Sequence, residues 1–197
     1  MSVAVVKLGV GNTASVLFAL ERLGVRAELT DDPARVADAE RVILPGVGAA
    51  AYAARVLRDR GLDEVLRRFQ RPLLGICLGQ QLLFERSEEG DAPGLGLLSG
   101  DVVALPNSRA WPSPHMGWSR LSERRAHPLL EGVAGAYMYF VHSFAGPVDE
   151  HTIASAEYGR PFAAAVAHGN VFGCQFHPER SGAAGARVLA NFMALPC

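Results

Sequence analysis

Residues 71–81 read RPLLGICLGQQ, and how this stretch is read decides the fold. The unbroken apolar run at 72–76 has the pattern of a strand buried on both faces. It runs into Gly75-Ile76-Cys77-Leu78-Gly79, and residues 78–87 have a helix-forming composition. A lone cysteine between two glycines, where a strand turns into a helix, fits a nucleophile elbow. The glycines permit a tight turn and a close approach of neighbouring chains. Cys77 then stands at the carboxyl edge of a sheet and faces its crevice. A helix beginning at Leu78 aims its N-terminus at Cys77 and favours thiolate over thiol. The Leu78 N–H is placed to donate to an oxyanion. Free cysteine is also a common small core residue, so the motif alone leaves a purely structural role equally open.

Working outward, residues 3–8, 25–29 and 41–46 read as three further strands. Between the first two, Val16, Leu17, Leu20 and Leu23 recur at helical spacing, with Asn12 or Thr13 to cap the start and Gly24 to end it. A short helix fits 30–40, and two more fit 49–60 and 61–69. Strands alternating with helices imply a doubly wound α/β sheet, mostly parallel in this half. The second half offers strand-like runs at 101–106, 117–122, 136–144, 152–158, 161–169 and 171–177, then a closing helix at 181–195. The expected architecture is a single-domain, doubly wound mixed α/β sheet over 1–197.

The 197 residues are 49% apolar and carry a formal net charge of −1, which gives no footprint for nucleic acid or a membrane surface. No segment approaches the roughly 20 apolar residues that span a bilayer. The N-terminus lacks a basic lead and reads as a first strand, not a signal peptide. Three scattered cysteines, Cys77, Cys174 and Cys197, argue against a disulfide framework and for a reducing, cytoplasmic compartment. Lys7 is the only lysine, so Schiff-base or P-loop chemistry has no other candidate. No metal or organic cofactor is called for.

A cysteine nucleophile needs a base, and the base needs an orienter. GCQFHPERSG (173–182) supplies both. A strand is expected to end at Phe176, and Pro178 then fixes the backbone between His177 and Glu179. The alternative for His177 is a strand-end histidine beside a solvated glutamate, which is the default for His127-Pro128. LPGVGAA (44–50) supplies a Gly-rich turn opening at the same sheet edge, where Val47 or Gly48 could offer a second N–H to an oxyanion. Trp111 and Trp118 are by default partly buried hydrophobes, and Cys174 a core residue.

The motifs LLGICLGQQLLF, PGVG and FHPE, in this order, resemble the class I (triad-type) glutamine amidotransferases. GVGNTASV (9–16), HMGWS (115–119) and YFVHSF (139–144) are similar, within that class, to the glutaminase subunits of imidazole glycerol phosphate synthase. The resemblance covers nearly the whole chain. It implies hydrolysis of L-glutamine to glutamate and ammonia, with Cys77 as nucleophile, His177 as proton carrier and Glu179 as its orienter. Leu78 and the Val47–Gly48 segment would form the oxyanion hole. Gln81, Glu89, His142, Ser143 and Phe144 would contact bound glutamine. The implied partner is a (β/α)8-barrel cyclase subunit in a heterodimer, which receives the ammonia. Asn12, Trp118 and Arg180 would lie at that interface. Ser119, Phe144 and Arg180 stand where the family commonly has Asn, Tyr and Lys. Three other readings compete: the glutaminase of another amidotransferase of this class, a non-enzymatic binding domain that keeps a fossil triad, and a cysteine hydrolase of similar fold. Such hydrolases typically place the histidine soon after the cysteine, whereas His177 lies a hundred residues downstream.

Overall fold

The computed structural model describes residues 2–9 and 13–196. Its first half alternates strands and helices: β1 (Val3–Val6), α1 (Thr13–Arg22), β2 (Ala27–Thr30), α2 (Pro33–Asp38), β3 (Arg41–Gly46), α3 (Ala50–Asp59), α4 (Leu62–Arg68), β4 (Leu73–Cys77) and the single turn α5 (Leu78–Gln81). Strands then dominate: β5 (Arg86–Ser87), β6 (Ala92–Pro93), β7 (Asp101–Ala104), β8 (His115–Arg120), β9 (Ser122–Glu123), β10 (Tyr137–His142), β11 (Phe144–Ala145), β12 (Thr152–Glu157), β13 (Pro161–His168) and β14 (Val171–Cys174), before α6 (Gly182–Ala194).

The main sheet has the order β2-β1-β3-β4-β14-β13-β12-β9. The pairs from β2 through to β14 are parallel, and those from β14 to β9 antiparallel. The chain order therefore reverses beside β4, where a crevice opens at the carboxyl ends of the strands. β1, β3, β4 and β14 are buried along their whole length, as parallel strands covered on both faces must be. One core layer holds α1, α6 and the inner side of β10, with Leu20, Phe140, Phe162 and Phe192 fully enclosed. The other holds α3 and α4, with Leu57, Leu62 and Leu66.

Local chemistry sets the ends of the helices. Gly24 stops α1 at φ +74°, with Val25 N–H returning to the Leu20 carbonyl and Gly24 N–H to Glu21. The Asp32 carboxylate caps α2 by accepting from Ala34 N–H at 2.9 Å.

Two of the boundaries that differ from the sequence expectation bear on the site. A helix over 78–87 is not formed; it stops at Gln81. The carbonyls of Leu82, Leu83, Phe84 and Glu85 instead accept from N–H groups of residues 94–98, which fold back across them. Gly94 makes this possible, because a Cβ there would lie 1.9 Å from the Phe84 carbonyl oxygen. A helix of one turn has little macrodipole, so the free N–H groups of that turn remain as the means of stabilising a nearby anion. The second difference is at β14, which ends at Cys174 rather than Phe176. Trp111 and Trp118 are also exposed rather than partly buried. Among the described residues, no helix is long and apolar enough to cross a membrane.

Candidate active site

The junction of β4 and α5 is tightly constrained. A Cβ on Gly79 would lie 1.7 Å from the Leu44 carbonyl oxygen, and one on Gly75 would lie 2.6 Å from the Gly79 backbone. Gly79 is therefore required by the passage of β3 against the start of α5, and Gly75 by the return of α5 over β4. The turn places Cys77 at φ 54°, ψ −110°, a conformation that costs a non-glycine residue about 1–3 kcal/mol. In return, its buried side chain stands at the sheet edge, on the wall of a cavity.

His177 and Glu179 arrive from the neighbouring strand. β14 lies directly beside β4, and the chain beyond it turns through a single 3-10 turn at Pro178–Arg180. The imidazole Nδ1–H donates to Glu179 Oε1 at 2.8 Å, and both side chains are buried. This bond fixes the tautomer and leaves Nε2 without a hydrogen-bond partner among the described residues. Burial opposes a charge on this ring. Interaction with the Cys77 side chain, and then with Glu179, outweighs burial and raises the imidazole pKa well above its ordinary value. His177 is thereby poised to carry a positive charge beside the Cys77 sulfur. The backbone is held as well: His177 N–H donates to the Tyr139 carbonyl at 2.9 Å. Ser181 Oγ accepts from Tyr139 N–H at 3.0 Å and donates to the His177 carbonyl at 2.7 Å.

Besides His177, two polar groups among the described residues lie near the Cys77 sulfur. Val141 presents its carbonyl oxygen at 3.8 Å, and Gln175 presents its side-chain amide nitrogen at 3.7 Å. Cys174 is fully enclosed, and burial drives its thiol pKa far up, so it has no reactive form to offer.

A cavity of about 260 Å³ adjoins Cys77. Val47, Gly48, Leu78, Gln81, Glu89, His142, Ser143 and Phe144 all line it, so the sequence-selected oxyanion and substrate residues converge on one space. Its volume lies below the range usual for drug-sized ligands and suits a single amino acid. Gly48 takes φ +90°, which a side chain would resist. A second cavity, of about 90 Å³, shares Val47 and Val141 with the first and reaches His177, Glu179 and Arg180.

The family model for class-I glutamine amidotransferases matches residues 4–195. The chain belongs to this family. Among the amidotransferase's relatives, the "Imidazole glycerol phosphate synthase subunit HisH" of Xylella fastidiosa is 52% identical, over 97% of this chain and 96% of its own. That of Idiomarina loihiensis is 50% identical, over 99% and 98%. A solved glutamine amidotransferase superposes with a TM-score of 0.77 at 21% identity, covering 98% of this chain and 97% of its own. The glutaminase domain of Trypanosoma brucei CTPS gives 0.63 at 16%, covering 100% and 95%. Both likenesses are likenesses of fold.

Within the amidotransferase, Glu89 has a use that the sequence did not suggest. Its Oε2 accepts from Ala50 N–H at 2.8 Å and caps α3 from outside the helix. It ties the cavity wall to the segment that follows Gly48. His142 likewise belongs to a chain of hydrogen bonds. The Phe144 carbonyl can only accept, so His142 Nδ1–H donates to it at 2.8 Å. His142 Nε2 then accepts from His115 Nδ1–H at 3.0 Å, and His115 Nε2 accepts from Ser119 Oγ at 3.0 Å. Burial keeps both rings neutral, with pKa values of about 4 for His115 and about 3 for His142.

Trp118 and Arg180 lie apart from the cavity at Cys77, on the outer side of the β8–β10 ribbon. Trp118 is 55% exposed and meets Tyr139 edge-on at 5.9 Å. The Arg180 guanidinium lies 5.2 Å from the centre of the same tyrosine ring. Asn12 falls outside the described residues. Sequence reasoning missed Val141, Ser181 and Gln175. The first acts through its backbone. The other two flank the histidine motif and carry ordinary polar side chains, so only their contacts mark them.

Proposed function

We propose that this chain is the glutaminase subunit of imidazole glycerol phosphate synthase in histidine biosynthesis. The observation that carries the reaction is Cys77 on the wall of a cavity of amino-acid size, with the buried His177–Glu179 pair interacting with its side chain from the adjoining smaller cavity. Full-length identity of about half to subunits of that name supports the assembly.

In this reading, glutamine enters with its side-chain amide towards Cys77. The thiolate attacks the amide carbon, and the oxyanion is met by the N–H of Leu78 and of the Val47–Gly48 segment. Imidazolium His177 gives its proton to the departing nitrogen, releasing ammonia and leaving a γ-glutamyl thioester. Neutral His177 then takes a proton from water as it attacks the thioester. Collapse expels the Cys77 thiolate beside the re-formed imidazolium and releases glutamate, whose new carboxyl group gives its proton to solvent. Glu179 holds the ring and supports its charge without exchanging protons. Glu89 meets the substrate's ammonium group, and the N–H groups of the 142–144 segment meet its carboxylate.

Ammonia leaves through the smaller cavity, past Arg180, to a (β/α)8 cyclase subunit covering that side. There it joins a phosphoribosyl-formimino carboxamide nucleotide to give imidazole glycerol phosphate and an aminoimidazole carboxamide nucleotide. Trp118 and Arg180, with Asn12, contribute to the contact. The subunits work together in the cytoplasm.

The test is glutamate formation by the chain with and without such a cyclase. Turnover that rises on cyclase addition, and falls to background in His177→Ala, is expected. Glu179→Gln should retain more activity than His177→Ala, since it keeps some hydrogen bonding to the ring. A chain that hydrolyses glutamine but ignores the cyclase would point to another amidotransferase of the class.

A further inference from the structure

We infer that Gln175 is the hydrogen-bond donor that holds the Cys77 sulfur as a thiolate, a role that rests on Cys77 being the nucleophile. Gln175 is fully buried, one residue past the end of β14. A buried amide is retained without cost only where both its ends are engaged. Its oxygen accepts from Gln81 Nε2 at 3.1 Å, and its nitrogen faces Cys77 Sγ at 3.7 Å.

The orientation of these amides follows from the contacts themselves. Gln81 Nε2 also lies 2.7 Å from the Phe144 carbonyl oxygen. That oxygen can only accept, so the NH₂ end of Gln81 must face it. The same NH₂ then meets Gln175, which must answer with its oxygen. The remaining end of Gln175, an NH₂, is left for the sulfur. A flip of Gln175 would set two donors against each other at Gln81.

The two neighbours of the sulfur therefore favour opposite protonation states. The Val141 carbonyl, at 3.8 Å, accepts an S–H bond and repels a negative sulfur. The Gln175 amide donates, and its bond strengthens when the sulfur becomes an anion. Transfer of the thiol proton to His177 makes the first contact unfavourable and the second favourable. Gln175 thus stabilises the product of that transfer from a side that the imidazole does not occupy. It also holds the sulfur in place while the imidazole moves protons.

The measurement is the rate of Cys77 alkylation by iodoacetamide between pH 5 and 9, read by mass spectrometry of the Cys77 peptide in the full chain. A hydrogen bond to a charged group contributes about 1.5–3 kcal/mol, a factor of roughly 10–100. In Gln175→Met, alkylation at pH 7 should slow by at least about tenfold, and the midpoint of its pH profile should rise by about one unit or more. In the cyclase complex, kcat for glutamine should fall by a similar factor. A side chain that merely filled space would lower the melting temperature and leave the pH midpoint in place. An unmoved midpoint in a folded Gln175→Met chain overturns the inference.

Should that variant fail to fold, the native chain still decides the matter. With ¹⁵N-labelled glutamine, the Gln175 side-chain amide proton should move downfield over the pH interval in which alkylation rises, and stay still in Cys77→Ala. A resonance that ignores the titration overturns the inference. The parent reading fails separately, if glutamine hydrolysis survives Cys77→Ser.

Discussion

The elbow and the β8–β10 ribbon both border the active site, but they are held in opposite ways. The elbow is confined by backbone: β3 and α5 touch where any side chain on Gly79 would collide. The ribbon is two-stranded and joins no larger sheet. Such a pair has little stability of its own. Its inner residues, Met138, Phe140 and His142, are buried in or beside the core, while Met116, Trp118 and Tyr137 are exposed. It is fastened at the site through the Tyr139 backbone, His177 and Ser181. The chemistry is thus mounted on the rigid part, and the base is tied to the part that a partner can reach. A partner pressing on the ribbon can shift His177 through the Tyr139 and Ser181 hydrogen bonds and move the Val141 carbonyl at the Cys77 sulfur, while the Cys77 backbone stays held by the elbow.

The largest effects should come from the elbow. Cys77→Ser should lower glutamine turnover on the order of ten-thousand-fold or more, as losing a nucleophile does elsewhere. Cys174→Ser, replacing a thiol sealed in the core, should keep most of the activity. Comparable labelling of the two thiols by a glutamine-analogue alkylator would break the contrast between them. Gly79→Ala should destabilise the chain by about 3 kcal/mol or prevent folding, since the new methyl meets backbone that cannot yield. Denaturant unfolding reads this directly, and a change under about 1 kcal/mol would mean that the elbow is looser than its geometry implies.

The same contrast decides what was legible in the sequence. Gly75, Cys77 and Gly79 announce the elbow because tight backbone needs special residues at fixed spacing. His177, Pro178 and Glu179 are legible for a similar reason. Alternation of apolar runs with helical periodicity gave the parallel half of the sheet. The failures are tertiary. Residues 82–87 have helical propensity, yet the loop at 94–98 captures the carbonyls of 82–85, and no local pattern foretells that. Val141 contributes a carbonyl, which every residue has. Gln175 and Ser181 matter through partners distant in sequence.

A smaller effect is expected on the ribbon. Trp118→Ala should leave the fold and the alkylation of Cys77 intact while weakening cyclase binding by about 2 kcal/mol, the usual loss for an aromatic anchor. Calorimetric titration measures it. Arg180→Ala removes a cation that lies over Tyr139 beside the smaller cavity. It should reduce glutamine-driven product formation more than formation from added ammonia. If both variants bind and couple normally, the ribbon's outer face is not the contact.

The smallest effect concerns the joint between the two regions. His115, on β8, and His142, at the end of β10, join the ribbon to the Phe144 carbonyl that also anchors Gln81. Burial is the main reason that both folded-state pKa values lie below the ordinary one; the charge of Arg160 and the rings of His115 and His177 add to the lowering at His142. An unfolded chain binds protons at these sites near pH 6.5, whereas the folded chain refuses them until about pH 4 and about pH 3. The unfolded state therefore holds more protons throughout that interval, and stability must fall as pH drops below about 6.5. His177 has its pKa raised, so it opposes this fall only near pH 6.5, where the unfolded ring is half protonated, and adds no slope once both states are charged. His115→Gln can still donate to His142 but cannot titrate. Its melting temperature should decline less than that of the native chain between pH 6.5 and 4.5. A parallel decline would mean that the ribbon joint opens and takes up protons without cost, and the coupling from ribbon to cavity would have to run through His177 alone.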